Sequence, residues 1–124
     1  MEIIKNILAV GAGSFVGGAA RYLVSLGMKG IGKGFPWATL AVNLVGCLMI
    51  GLLWGLLSRN AAENTSWGLF LTVGLCGGFT TFSTFSKEAL AMLQTGQMWG
   101  FASDIAISVL AGIALVALGY YIAR

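Results

Sequence analysis

The residues able to do chemistry are gathered in one stretch, Gly74 to Glu88, reading GLCGGFTTFSTFSKE. Gly77-Gly78 followed by the β-branched pair Thr80-Thr81 makes a poor helix, so a backbone break is predicted there. Broken backbone at membrane depth is tolerated only where protein buries it or water reaches it. Carbonyls freed at such a break can coordinate a cation, while the N-terminus of the following half-helix favours an anion. Beyond the break, Phe82 and Phe85 stand at i and i+3 on one face, and Ser83, Thr84 and Ser86 add hydroxyls around the same turns. Glu88 follows Thr84 at i+4. The competing reading is a small-residue packing seam whose hydroxyls bond back to their own helix.

Four further polar positions fall inside apolar stretches, where such side chains are functional candidates by default. Arg21 either snorkels to an interface or lines an aqueous entrance as a fixed positive charge that draws anions in. Asn43 lies on the same helical face as Thr39. It either glues two helices together or offers its amide N–H donors to an anion. Asp104 and Ser108 share a face of the last stretch. Asp104 is expected near an interface, and Ser108 deeper, where it would continue a hydroxyl track. Cys47 and Cys76 are far apart in the sequence, with no metal-ligand spacing, and read as small packing residues. With no His among 124 residues, no acid–base–nucleophile set can be assembled, so an enzyme is the least favoured class.

These residues must be carried by membrane helices. The chain is 58% hydrophobic and only 9% charged, against about a quarter charged in an ordinary soluble domain. A helix needs about 20 apolar residues to cross a bilayer. Four stretches qualify: Ile3–Leu26, Trp37–Leu57, Trp67–Leu93 and Met98–Ala123. The predicted fold is therefore an all-α membrane protein of four transmembrane helices in one domain, the third broken at its centre. Trp37, Trp67 and Trp99 open spans and Tyr120-Tyr121 closes the last, as aromatic belts do. Ser66 is a candidate cap for the third span. The first apolar run is too long for a signal-peptide core and carries Arg21 near its end, so cleavage is not expected.

Positive charges give no clear orientation. Lys5, Arg59 and Arg124 fall on one side, and Lys29 and Lys33 on the other, where a snorkelling Arg21 would even the count. Either one loop charge decides the topology, or the chain inserts both ways and pairs antiparallel with itself. Gly13-xxx-Gly17, Gly51-xxx-Gly55 and Gly74-xxx-Gly78 each set two glycines on one face, which lets helices approach closely in lipid. Four thin helices enclose little interior, so a homo-oligomer is the expected use of these faces.

With Arg21 upstream, the strings Ala38-Thr39-Leu40-Ala41-Val42-Asn43-Leu44-Val45-Gly46 and GGFTTFSTFS (Gly77–Ser86) resemble the Fluc (CrcB-type) family of fluoride channels over essentially the whole chain. That resemblance implies an antiparallel, dual-topology homodimer in the plasma (inner) membrane, exporting toxic fluoride passively through two pores at the subunit interface. It implies a structural sodium ion on the two-fold axis, held by the backbone carbonyls of Gly77 and Thr80 from both subunits. It places the ring edges of Phe82 and Phe85 against fluoride, Asn43 in the pore, and Ser83, Thr84 and Ser108 in a polar track. Glu88 stands near a pore mouth and Arg21 near a vestibule. Asp104 is not a residue the family pattern leads one to expect.

Two other classes fit the outline. A small dual-topology, proton-coupled multidrug exporter needs a titratable carboxylate deep in the membrane. The first span has no acid beyond Glu2 at its start, and Glu88 and Asp104 sit toward span ends. A non-transporting assembly subunit would not need hydroxyls and phenylalanines clustered at a helix break.

Overall fold

The computed structural model describes residues 2–31 and 34–124. Lys33, counted above for orientation, lies outside the described residues. The chain is all-helical, with no strand among the described residues, and four helical spans are long and apolar enough to cross a membrane. The first span is α1 (Glu2–Gly27) and the second is α2 (Trp37–Arg59). The second starts directly after Pro36, whose carbonyl accepts the first helical bond, from Leu40 N–H at 3.1 Å.

The third span, Ser66–Gln94, is not one helix. It opens with α3 (Ser66–Leu69), continues as a π-helix (Phe70–Cys76) and a last turn α4 (Gly77–Phe79), then breaks at Thr80-Thr81 before α5 (Phe82–Gln94). The cap at its start is Thr65, not Ser66: the Thr65 hydroxyl accepts from Gly68 N–H at 3.0 Å. Ser66 instead donates across to Asn6 Oδ1 at 2.8 Å. At the far end Gly96 turns the chain with φ 79°, a conformation open to glycine. Then α6 (Met98–Ala123) completes the bundle.

Two tight helix pairs make the body, and glycine sets both. α1 lies on the first half of the third span with Gly13 and Gly17 against Gly74 and Gly78; a Cβ added at Gly78 would stand 2.7 Å from Ser14 O. α2 lies on α6, where a Cβ at Gly119 would stand 2.6 Å from Leu48 O, and Gly51 meets the Val116 carbonyl. All three glycine-spaced faces are thus used within one chain, not between copies as the sequence suggested. Lipid supplies no hydrophobic force to hold helices together, so close backbone approach does that work here. What is left outward is apolar: Ile3, Leu8, Phe15, Leu23, Trp99 and Leu110 are all well exposed.

Candidate functional site

The break falls three residues beyond Gly77. Gly77 and Gly78 are themselves helical; a Cβ at Gly78 would press on Ser14 and Gly18 of α1, whereas one at Gly77 would not touch α1. The extended residues are the threonines, Thr80 at φ −89°, ψ 161° and Thr81 at φ −152°, ψ 118°. β-branched side chains favour that conformation. A bend of this kind frees backbone groups that must be paired inside a membrane, and side chains from two other helices do the pairing.

Asn43 clamps the Thr81 backbone from α2. Its Oδ1 accepts from Thr81 N–H at 2.8 Å and its Nδ2 donates to Thr81 O at 3.1 Å. In extended backbone a residue's N–H and C=O point the same way, so one amide side chain reaches both, as a neighbouring strand would. This joins the two readings of Asn43: it ties α2 to the break, and one of its two N–H donors is left for a ligand. From α1, Arg21 Nε donates to Gly78 O at 3.1 Å. Arg21 is thus turned inward onto the break instead of lying free at an interface.

Sequence named Thr81 only as part of the break, yet it organises the start of α5. Its hydroxyl accepts from Thr84 N–H at 3.2 Å and donates to Thr84 Oγ1 at 3.1 Å, with Ser83 Oγ 3.5 Å away. The signal that could have found it is threonine's preference for the N-cap where a helix restarts after a break. The N–H groups of Phe82 and Ser83, in the first turn of α5, have no acceptor within the helix by position. They present a partial positive charge at the break.

Two grooves flank this clamp. The larger, about 400 Å³, is lined by Asn43, Gly77, Thr80, Phe82, Phe85 and Ser108 among others. The rings of Phe82 and Phe85 lie 5.8 Å apart and tilted by 46°, and Phe82 is 78% exposed. The smaller groove, about 210 Å³, is lined by Arg21, Thr39, Thr81, Thr84 and Glu88. Ser83 is exposed beside Phe82 and is not among the residues lining either groove. Cys76 is buried and Cys47 half-buried, both free.

The Gly77 and Thr80 carbonyls fit the cation the resemblance implied. Among the described residues neither accepts a hydrogen bond from the turn or from a side chain, whereas Gly78 O and Thr81 O are taken by Arg21 and Asn43. The Thr80 hydroxyl donates its proton to Cys76 O at 3.0 Å. No group of three His, Cys, Asp or Glu that could hold a metal occurs among the described residues.

Asp104 is turned into the bundle. It is 1% exposed, the most completely buried large side chain described. Position near the end of a span sets depth along the membrane normal; burial depends on which way the helix face turns, and this face turns into the bundle. Ser108 Oγ donates to Asp104 Oδ1 across 3.4 Å. Asp104 Oδ2 and Glu88 Oε1 are both buried without a partner.

Comparison with known proteins follows this geometry. The family described as CrcB-like protein, Camphor Resistance (CrcB), matches residues 8–120. A protein of Desulfotalea psychrophila named fluoride-specific ion channel FluC is 42% identical over 124 residues, covering 100% of this chain and 96% of its own. One of the same name from Phocaeicola vulgatus is 43% identical over 122 residues, 98% of this chain and 100% of its own. Another, from Chlorobium phaeobacteroides, is 41% identical over 123 residues, 99% and 96% of the two chains.

Proposed function

The chain belongs to the CrcB-like family, and on that premise we propose that it is a fluoride-selective channel, passing the ion down its gradient out of the cell. The observation that carries this reading is the groove at the break. There the exposed Phe82 ring, Phe85, the Asn43 amide and the Ser108 hydroxyl line one open surface. Fluoride is small, strongly hydrated and a strong hydrogen-bond acceptor, so a selective path must replace its water with N–H and O–H donors. Phenylalanine edges carry the positive side of the ring quadrupole. They touch an anion without holding it so tightly that it cannot leave, which conduction requires.

A groove open on one side is half a pore. We infer that a second copy, antiparallel to the first, closes it, giving two paths per dimer in the plasma (inner) membrane. The near balance of positive charges supports both insertions, and a reporter of sidedness fused to the C-terminus then gives signal from both faces. A sodium ion held by Gly77 and Thr80 carbonyls of both copies is supported by their lack of other partners. When bound it would offset the mutual repulsion of those carbonyls and favour nearby anions.

The test is efflux from liposomes carrying the purified protein, with fluoride, chloride and a lipophilic cation compared. The cation is included because a buried carboxylate such as Asp104 is what a proton-coupled exporter would also need. Fluoride release alone supports the channel. Cation release driven by a proton gradient, without fluoride release, overturns it.

A further inference from the structure

We propose that Asp104 is a positioning residue for the anion path, its protonation state deciding which way the Ser108 hydroxyl points. The inference rests on the channel reading above and extends it to a residue that reading leaves without a role. Ser108 lines the groove with Asn43, Phe82 and Phe85. Behind it, its hydroxyl is 3.4 Å from Asp104 Oδ1, and the carboxyl is 1% exposed with Oδ2 unpartnered. A hydroxyl has one proton and two lone pairs, so it cannot donate backward and forward at once.

With Asp104 ionised, the bond between the two can run only from Ser108 to Oδ1, because a carboxylate only accepts. The serine oxygen then turns lone pairs to the groove and repels an anion there. With a proton on the carboxyl oxygen nearest Ser108, the direction reverses. The carboxyl O–H donates to Ser108 Oγ, and the serine proton swings into the groove as a donor. One proton taken up by Asp104 at Oδ1 thus converts a groove acceptor into a groove donor, with no movement of the backbone.

Few other groups can produce the same effect. α2, packed on α6, has no charged side chain before Arg59 at its far end, and Cys47 is its one other titratable group. α6 has none besides Asp104 until Tyr120. From α5 the neighbouring charge is Glu88, while Lys87 is exposed. Glu88 is therefore the control.

The experiment measures fluoride efflux from liposomes with equal pH on both sides, from mildly alkaline to mildly acidic. Release from protein-free vesicles is subtracted, and assembly of each variant is checked by gel filtration. Wild-type flux is expected to rise as pH falls, by about ten-fold, the scale of one hydrogen bond to an ion. Asp104→Asn, a permanently neutral stand-in, is expected to be flat with pH at the acidic wild-type level. Asp104→Glu should restore a pH-dependent flux. Ser108→Ala should be flat and low, since the proton acts through the hydroxyl, and Glu88→Gln should keep the rise. A pH rise surviving in Ser108→Ala means the carboxyl acts by its field alone and overturns the proposal. So does a wild-type profile in Asp104→Asn, a flat profile in wild type, or loss of the rise in Glu88→Gln. A wild type without any fluoride flux overturns the channel reading, and this proposal with it.

Discussion

Replacing Asn43 by Ala is the most direct test of how the break is held. The side chain pairs both backbone groups of Thr81, at 2.8 and 3.1 Å. Alanine leaves a backbone N–H and a C=O without partners inside a membrane-spanning segment. Each buried group so orphaned costs about 1–3 kcal/mol. Interhelical bonds in membranes sit at or below the low end, because the unfolded chain in lipid also finds partners. The two together then give about 1–2 kcal/mol. Unfolding of the purified protein by a denaturing detergent measures that loss. Fluoride flux per assembled molecule measures the second consequence. The head of α5 loses its anchor and the groove loses an amide donor, so flux should fall about ten-fold or more. Asn43→Asp sharpens the test. It keeps an acceptor for Thr81 N–H but sets an oxygen against Thr81 O and a negative charge on the anion path. It should conduct less than the alanine variant. Wild-type unfolding and wild-type flux in Asn43→Ala would refute the clamp and the pore position together.

Phe82→Ile and Phe85→Ile keep apolar bulk but remove the ring edge, so liposome flux should fall at least ten-fold, about 1.4 kcal/mol, while gel filtration shows an unchanged assembly. Flux and dimer stability should be lost when the protein is prepared with a bulky cation in place of sodium. Thr80→Ala should leave that dependence in place, since the proposed ligand is the Thr80 main-chain carbonyl. Gly119→Val puts side-chain atoms where Leu48 O and Leu52 N already stand, each 2.6 Å from the first added carbon. It should destabilise the α2–α6 pair by about 1–3 kcal/mol or more, read as a shift in detergent unfolding.

Much of the site was legible because its parts are local in sequence. Hydroxyls, phenylalanines and a helix-breaking run between Gly77 and Ser86 announce themselves by type and spacing. The third span is indeed broken, at the Thr80-Thr81 end of that run. The glycine pair looked like the weak point because glycine has low helix propensity. Contact of Gly78 with α1 keeps that turn helical, which is a tertiary override no local pattern reveals. Asn43 and Arg21 were visible as polar intruders in apolar helices. Their targets, the Thr81 and Gly78 backbone, were not, because each bond joins residues 38 or more positions apart.

Hydropathy and length by themselves determined that this chain crosses the membrane four times, since a lipid interior admits little else from 20-residue apolar runs. Tertiary structure alone decided the rotation of each helix about its axis. That rotation turns the glycine faces into seams between α1 and the third span and between α2 and α6. It points the Asp104 carboxyl into the bundle with Ser108 between it and the groove. A side chain's depth along a helix follows from counting residues. The direction it faces follows from which neighbouring helix packs closest, and that depends on contacts between residues far apart in the chain.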